Sequence, residues 1–229
     1  MRALLLAAGY GSRLRPLTYL TPKCLVPIKS KPLLEIWLEC LTKAGIGPFI
    51  INTHYLNEQV EAYIKCSKYY NQVTLVYEEN LLGTAGTLIA NLDFFQNTDC
   101  MLIHADNYSM ADLNAFKKAH ENRPPECLMT MMTFRTQAPS TCGIVEIDKR
   151  GVVIGFHEKV ANPPGNLANG AVYILSDKLL KRLAKDLSFS KDFSKDLLNQ
   201  LLGKIYSHEI KDIFLDIGTP EAYEKANQS

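Results

Sequence analysis

One stretch near the start of the chain, residues 3–27, constrains the fold more than any other. It opens with an apolar run at residues 3–8 that stops at Gly9, which predicts a strand buried on both faces. Gly9 and Gly11 permit a sharp turn that brings backbone N–H groups close to an anion. Three cations follow shortly afterwards, namely Arg13, Arg15 and Lys23. A buried strand, a flexible loop and a group of cations are typical of a site for a nucleoside triphosphate.

Two commoner phosphate-binding loops do not fit this stretch. The Rossmann fingerprint G-x-G-x-x-G requires a third glycine where this chain has Leu14, and Pro16 follows soon after. The Walker A sequence G-x-x-x-x-G-K-[ST] is absent. A surface loop with solvated arginines is the simplest alternative. Thr18, Pro22 and Lys23 extend the glycine-loop motif, and a longer motif match is more specific. They therefore disfavour the surface-loop alternative.

The string G-Y-G-S-R-L-R-P-L-T, followed by P-K, resembles the signature of the sugar-1-phosphate nucleotidyltransferases. The match is most similar to catalytic domains of the mannose-1-phosphate guanylyltransferase type. The resemblance implies that Arg13 and Lys23 are catalytic residues that hold the triphosphate, and that Mg²⁺ is the cofactor. It also implies an α/β fold, a Rossmann-like and mostly parallel mixed sheet with helices on both faces, similar to the glycosyltransferase A fold. Further motifs occur in the family's order up to about residue 223.

Composition sets bounds on the class of protein. The 229 residues are 47% hydrophobic and 21% charged, which predicts a single α/β domain over residues 1–229. The resemblance implies that this is the catalytic domain. We expect its nucleotide-binding half at about 1–125 and its sugar-binding half at about 126–229. The net charge of +1 and the lack of a long apolar run argue against nucleic acid or a membrane as partner. Six cysteines without a C-x-x-C pair favour a reducing, cytoplasmic location. We also expect no hexapeptide-repeat tail, and a homodimer is left open.

Strands and helices alternate up to about residue 125, which indicates βαβ units and parallel strands. The predicted strands there are 48–53, 73–78 and 100–105, and the predicted helices are 32–44, 57–67, 86–95 and 111–120. Asn57 is expected to be the N-cap of the second helix. Strands then dominate, at 128–134, 143–148, 152–158, 171–175, 205–210 and 213–217. Helices are predicted at 177–185, 193–202 and from Thr219–Pro220 onward.

The segment from Glu78 to Gly86 follows a strand and opens a helix. Its small residues would let a flat base approach the backbone, and Glu78 or Asn80 could read the base edge; the alternative is a glycine bend at a helix start. The resemblance implies that L-G-T-A-G lines the base pocket, in the variant found in guanylyltransferases. GTP is therefore favoured, because only guanine offers adjacent N1–H and N2–H₂ donors to a carboxylate. The predicted nucleotide-binding residues are Ala8, Gly9, Gly11, Ser12, Arg13, Lys23, Glu78, Asn80, Gly83, Thr84, Gly86 and Asp106.

Two aspartates at predicted strand ends, Asp106 and Asp216, are the candidate metal ligands. Each alone could simply cap a loop. Two carboxylates that converge on a triphosphate would form a hard oxygen site for Mg²⁺. The resemblance implies this role for both residues.

Four residues are predicted to bind the sugar phosphate: Gly143, Glu158, Lys159 and Asn169. An exposed Glu-Lys pair is ordinarily a solvated ion pair. The assignment of Glu158 and Lys159 therefore depends on their position in the sequence relative to the other motifs. The resemblance implies that Glu158 accepts hydrogen bonds from sugar hydroxyls and that Lys159 neutralises the phosphate. Cys142 and Val160 depart from the family pattern, which leaves the shape of the sugar pocket open.

The sequence thus predicts an Mg²⁺-dependent transfer of a nucleotidyl group from a triphosphate to a sugar-1-phosphate, by in-line attack without a covalent intermediate. The alternatives are a uridylyl- or thymidylyltransferase, and a non-catalytic sensor of nucleotides or sugar phosphates. A related glycosyltransferase would require Asp-x-Asp, whereas His104 stands two residues before Asp106. Lys23 is expected on a solvent-facing loop, and the histidines are interpreted as structural or surface residues, with His104 the one to examine.

Overall fold

A computed structural model describes residues 1–186 and 190–229. The strands are β1 (Arg2–Leu6), β2 (Pro27–Ile28), β3 (Lys31–Pro32), β4 (Phe49–Thr53), β5 (Val73–Tyr77), β6 (Cys100–His104), β7 (Asn107–Ser109), β8 (Met129–Arg135), β9 (Gly143–Ile147), β10 (Val153–Glu158), β11 (Leu167–Leu175), β12 (Ile205–Glu209) and β13 (Phe214–Asp216). The α-helices are α1 (Leu33–Lys43), α2 (Asn57–Cys66), α3 (Gly83–Ala90), α4 (Leu113–Glu121), α5 (Asp177–Asp186) and α6 (Pro220–Gln228). The predicted α/β fold with a mixed central sheet is confirmed.

Contacts divide the chain into two compact units. The first comprises Met1–Leu81, Ile103–Ala111 and Asp212–Ser229, and the second comprises Leu82–Leu102 and Asp112–Lys211. The boundary falls inside β6, so this strand contributes residues to each unit. The functional halves expected at about residue 125 remain a prediction, because compactness alone does not say which half binds which substrate.

Parallel strands form the sheet of the first unit. β1 pairs with β4, and β4 pairs with β5, in both cases parallel. β1 and β4 are mostly apolar because both of their faces are covered, and Leu4 and Leu5 have no exposed surface. β5 is partly exposed. α1 buries one apolar face against the first unit, and Trp37 on this face donates its indole N–H to the Asn107 carbonyl at 2.7 Å.

The second unit has mixed pairing, as the change of rhythm after residue 125 predicted. β11 pairs antiparallel with β8 and β9, β10 pairs antiparallel with β9, and β12 pairs parallel with β8. Residues 149–151 form the short turn that links the antiparallel strands β9 and β10. No helix in the described part of the chain is both long enough and apolar enough to cross a membrane.

Several predicted boundaries are wrong. Asn57 is the first residue of α2 rather than its N-cap, because Leu56 takes the cap position in a left-handed conformation without a side-chain hydrogen bond. α3 begins at Gly83 instead of Gly86. The helix predicted at 193–202 is a short π-helix at Phe193–Leu197 followed by a 3₁₀ turn at Leu198–Leu201.

Candidate active site

The glycine loop after β1 folds over a lysine. Gly11 has φ +62°, and a Cβ at this position would lie 2.9 Å from Thr18 Cγ2 and 3.2 Å from Lys23 Cβ. The Thr18 hydroxyl donates to the Gly11 carbonyl at 2.8 Å. Glycine at position 11 therefore serves both the turn and the close approach of Lys23. A Cβ at Gly9 would meet nothing within 4 Å, so packing does not require glycine there.

Lys23 is buried, contrary to the solvent-facing position expected from the sequence. The residue is 7% exposed. Its ammonium donates to Asp106 Oδ2 at 2.7 Å and to Asp216 Oδ1 at 3.4 Å. A buried lysine requires such partners, because an unpaired buried charge is costly. Both candidate metal ligands, Asp106 and Asp216, thus accept hydrogen bonds from the same nitrogen atom, the Nζ of Lys23.

The convergence of the two aspartates follows from a strand pair that the sequence did not reveal. Asp106 lies just beyond β6, and β7 begins at the next residue. β7 pairs antiparallel with β13, which sets Asp216 opposite Asn107. The Ile217 N–H also donates to the Asp106 carbonyl at 3.3 Å. This ladder brings two carboxylates together that are far apart in the sequence.

Arg13 completes the charged cluster. Its Nη2 atom lies 3.5 Å from Asp216 Oδ2, and both side chains are more than half exposed. A Cβ on Gly218 would lie 2.7 Å from Arg13 Nη2 and 2.9 Å from Asp216 Oδ1. Gly218 therefore makes room for this ion pair. No role for Gly218 was predicted from the sequence, because the ion pair that it accommodates joins two distant parts of the chain.

The Asp106 carboxyl is held in its charged form. Burial by itself would raise its pKa, but the Lys23 ammonium and, to a smaller extent, His104 lower it, and the net pKa lies below the ordinary value. His104, the histidine singled out from the sequence, therefore contributes to the electrostatics of the site. A carboxylate that stays ionised is suited to binding a cation.

A second group in the first unit fixes Glu78. The Ala7 N–H donates to Asn52 Oδ1 at 2.7 Å, and Asn52 Nδ2 donates to Glu78 Oε1 at 2.9 Å. Glu78 is only 4% exposed. Asn52 therefore ties the predicted base-reading carboxylate to the end of β1. The sequence analysis missed Asn52, although a polar residue in the otherwise apolar strand β4 was an available signal.

Tyr10 and His54 extend this connection. The Glu78 carbonyl accepts from His54 Nδ1 at 2.7 Å, which leaves Nε2 to accept from the Tyr10 hydroxyl at 2.9 Å. The remaining nucleotide-binding candidates of this unit lie on the same loops: Ala8 is buried, and Gly9, Ser12 and Asn80 are exposed. No partner that would fix the Asn80 side chain is recorded among the described residues.

The L-G-T-A-G segment, in the second unit, packs against residues 191–193. Gly83 has φ +80°, and a Cβ there would lie 2.5 Å from the Lys191 carbonyl oxygen. That oxygen accepts from the Ala85 N–H at 2.9 Å and from the Gly86 N–H at 3.4 Å. Thr84 Oγ1 accepts from the Phe193 N–H at 2.7 Å. The small residues of this segment therefore have a packing role in addition to the base-pocket role predicted for them.

Three of the four sugar-phosphate candidates lie side by side in the second unit. Glu158 on β10 is paired in register with Gly143 on β9. A Cβ on Gly143 would lie 2.7 Å from Glu158 Oε2, so the glycine admits the carboxylate. Lys159 Nζ lies 3.7 Å from Glu158 Oε1, and its side chain is 61% exposed. An exposed ammonium beside a half-buried carboxylate is suited to binding a phosphate and a hydroxyl.

Asn169 lies inside β11, not before a strand as the sequence suggested. Its Nδ2 donates to the Tyr173 hydroxyl at 2.7 Å, and its Oδ1 accepts from the Ala171 N–H at 2.9 Å. The register of β11 against β8 shifts between Asn169 and Tyr173. The amide thus stabilises a bulge, which sequence periodicity could not show.

The donor set of the charged cluster fits a hard divalent cation with few protein ligands. Among the described residues, no group of three or more histidine, cysteine and acidic side chains could hold a metal ion. Asp106 and Asp216 supply two carboxylates at one point. Mg²⁺ typically takes one or two carboxylates and completes its shell with waters and substrate phosphates.

The chain is similar in sequence and in structure to known proteins. The chain is 31% identical to the D-glycero-alpha-D-manno-heptose 1-phosphate guanylyltransferase of Campylobacter jejuni, over 97% of each chain. It is 32% identical to the mannose-1-phosphate guanyltransferase of Schizosaccharomyces pombe, over 97% of this chain but only 62% of that protein. The chain thus spans less than two thirds of the length of this second relative.

Among solved structures, HddC from Yersinia pseudotuberculosis in complex with GMP-PN superposes with a TM-score of 0.82 at 25% identity, covering 99% of this chain and 98% of that one. The nucleotidyl transferase family model matches residues 2–229, essentially the entire chain. The chain therefore belongs to the nucleotidyl transferase family.

Proposed function

We propose that this protein transfers a nucleotidyl group from a nucleoside triphosphate, with GTP favoured, to a sugar-1-phosphate, and releases pyrophosphate. The observation that carries the proposal is the buried Lys23 ammonium held by Asp106 and Asp216 at the glycine loop. The names of the relatives support a guanylyl donor and a manno-configured hexose or heptose 1-phosphate as acceptor.

The proposed reaction is a direct in-line displacement. An oxygen of the sugar phosphate forms a bond to the α-phosphorus as the bond to pyrophosphate breaks. The attacking oxygen is already anionic, so no strong general base is required. The difficulty lies in bringing two polyanions together, and positioning and electrostatics therefore supply most of the acceleration.

The cations have distinct roles in this proposal. Lys23 neutralises the α-phosphate, which bears the developing charge. Arg13 and the amides of residues 9–12 hold the β- and γ-phosphates. Lys159 neutralises the incoming sugar phosphate, and the Glu158 carboxylate accepts from sugar hydroxyls. Asn169 is proposed as a further sugar contact, in addition to its hydrogen bonds within β11.

Asp106 and Asp216 are the residues that would hold Mg²⁺. When bound, the ion would polarise phosphate oxygens as a Lewis acid. Lys23 lies between the two carboxylates, so its ammonium holds the two oxygen donors close together. The low pKa of Asp106 supports the same role.

Glu78 is the proposed reader of the base. A carboxylate fixed by Asn52 is suited to the paired N1–H and N2–H₂ donors of guanine. A base without those donors forms no hydrogen bonds to this carboxylate in place of those with water, which costs on the order of 1–3 kcal/mol per group.

The test is pyrophosphate release from GTP, UTP, dTTP and CTP, each with mannose 1-phosphate, the manno-heptose 1-phosphate and glucose 1-phosphate. We expect release that depends on both substrates, with the highest kcat/KM for GTP. A tenfold preference for UTP or dTTP with every sugar would contradict the guanylyl assignment alone. Binding of triphosphate without pyrophosphate release from any pair would instead indicate a sensor.

A further inference from the structure

A second charged feature lies in the second unit, at a cavity of about 420 Å³. Its lining consists of Pro125, Glu126, Leu128, Lys178, Lys181, Arg182, Lys185 and Lys204. Five of these eight residues are cations, although the whole chain carries a net charge of only +1. Such a local excess of one sign focuses an electrostatic field on small anions.

Helix α5 supplies four of the five cations. These four cations are separated by three, one and three residues, which sets them on one face of the helix: Lys178, Lys181, Arg182 and Lys185. Leu179 and Leu183, on the other side, have no exposed surface. Cations three and four residues apart on a helix repel one another, and a bound anion would relieve this repulsion.

Acidic side chains neutralise only part of this charge. Lys181 pairs with Asp177 at 2.6 Å, and Glu126 is bound by Arg150 at 2.6 Å. Among the side chains that the structure describes, which exclude those of residues 186–189, none forms an ion pair with Lys178, Lys185 or Lys204. The one acid of the cavity is therefore already paired with a cation outside the lining, while at least three cations lack an acidic partner in the described chain.

The walls of the cavity are tied together through Leu128. Its carbonyl accepts from the Ser176 N–H at 3.0 Å and from the Ser176 hydroxyl at 2.6 Å, just before α5 begins. Its own N–H donates to the Lys204 carbonyl at 2.7 Å. Leu128 is 8% exposed. A rigid frame of this kind lowers the entropy cost of binding.

The cavity is remote from the sugar-phosphate candidate Asn169. Within the β8–β11 pair, Asn169 lies opposite Thr133, whereas Leu128 directly precedes the Met129–Leu175 pair at the other end. Five residues of strand separate positions 128 and 133, or about 16 Å. The cavity is therefore a different site from the one proposed to hold the sugar phosphate.

We propose that this cavity binds a small molecule that carries two or more phosphate groups. The volume lies in the range of about 300–1,000 Å³ that is usual for small-molecule sites. Lys178, Lys185 and Lys204 would neutralise the phosphates, and the apolar Pro125 and Leu128 would contact the remainder of the ligand. A diphosphate matches a cluster of several cations better than a single phosphate does.

The test uses inorganic pyrophosphate as probe and inorganic phosphate as comparison. Three proteins are compared: the wild type, Lys178→Gln/Lys185→Gln, and the control Lys65→Gln/Lys118→Gln, which removes the same charge from exposed positions on α2 and α4. Hydrogen exchange locates binding at residues 125–129 and 176–185, and calorimetry gives the affinity. We expect pyrophosphate to protect both segments in the wild type and the control, with affinity lowered about tenfold in the cavity variant.

Three results would overturn the proposal. The first is protection by pyrophosphate confined to the glycine loop at residues 9–23, which would indicate catalytic-site binding alone. The second is equal affinity of the cavity variant and the wild type at the protected segments. The third is an equal loss in the control variant, which would show a nonspecific effect of net charge. Circular dichroism of each variant establishes that it is folded.

Discussion

Lys23 has two carboxylate partners and almost no exposed surface, which determines the expected effect of removing it. Lys23→Ala should lower the turnover number for pyrophosphate release by about 10²- to 10³-fold, because the charge that stabilises the transition state is lost. Lys65→Ala, on the exposed face of α2, is the control. Steady-state kinetics gives the comparison. Turnover of Lys23→Ala close to that of the control would refute the assigned role.

The truncation also leaves Asp106 and Asp216 without their shared ammonium, so we expect a lower melting temperature for Lys23→Ala than for the control. Lys23→Met, which keeps a long buried side chain, separates the loss of packing from the loss of charge. If activity falls equally in Lys23→Ala and Lys23→Met, the charge is responsible.

The two aspartates lead to a metal prediction. Asp106→Asn and Asp216→Asn should each raise the Mg²⁺ concentration needed for half-maximal activity by about tenfold or more, since an amide is a neutral and poorer ligand for a hard cation. The exposed Asp212 gives the control Asp212→Asn. Activity is measured across a Mg²⁺ titration. Full activity of the wild type in excess chelator would remove the metal proposal.

Asn52 lies outside every motif in the sequence, yet it holds Glu78. Asn52→Ala should lower kcat/KM for GTP by about tenfold while that for UTP changes little, because only the guanine contact depends on the fixed carboxylate. Asn91→Ala, at the C-terminal end of α3, is a control for general effects. An equal loss for GTP and UTP would show that Asn52 supports the fold instead of the base site.

Sequence motifs identified these side chains, but their environment depends on distant contacts. Arg13, Lys23, Asp106 and Asp216 were recognisable one by one. The burial of Lys23 was not, because its partners lie 83 and 193 residues away in the sequence. Gly218 was missed for the same reason, since only the ion pair between Arg13 and Asp216 explains why a side chain does not fit there.

At the scale of elements, periodicity predicted most strands and helices to within a few residues. It failed where a long-range contact decides local structure. β7 has three residues and exists because it pairs with β13, and the bulge in β11 depends on the Asn169 amide. The early start of α3 at Gly83 depends on the Lys191 carbonyl. None of these contacts has a local signature in the sequence.

The Gly83 contact predicts a large loss of stability on substitution. Gly83→Ala should lower the free energy of unfolding by about 2 kcal/mol or more, since the residue has φ +80° and a Cβ would clash with the Lys191 carbonyl. Gly203 has a similar φ of +76° with open space around it, so Gly203→Ala measures the backbone cost alone. Urea unfolding gives both values. Equal losses would show that the contact with Lys191 contributes nothing.

For the molecule as a whole, the net charge of +1 keeps general self-repulsion small at neutral pH. Its response to mild acid should therefore depend on particular buried groups. His120 is 1% exposed, with Nδ1 hydrogen-bonded to Thr130 Oγ1 at 2.8 Å. Burial, assisted by Arg123, lowers its pKa to about 3. Burial also lowers the pKa of His208, against a smaller opposing effect of Asp112.

A histidine with a lowered pKa stabilises the fold above its unfolded pKa of about 6.5 and loses that contribution as the pH falls towards the folded value. Between these limits the unfolded chain binds the extra proton. The wild type should therefore lose about 2 kcal/mol of unfolding free energy at His120 between pH 7 and pH 5.

His120→Asn can keep the hydrogen bond to Thr130. We expect this variant to be less stable than the wild type at pH 7, and its free energy of unfolding to change less between pH 7 and pH 5. Asn114→Ala, which changes an exposed residue of α4 that does not titrate, should keep the wild-type slope. Urea unfolding at the two pH values measures each slope. The outcome that would contradict this prediction involves Asp99, whose Oδ2 atom lies 3.7 Å from His120 Nε2. If Asp99 stabilised the protonated ring in the folded protein, the free energy of unfolding would change equally with pH in the wild type and in His120→Asn.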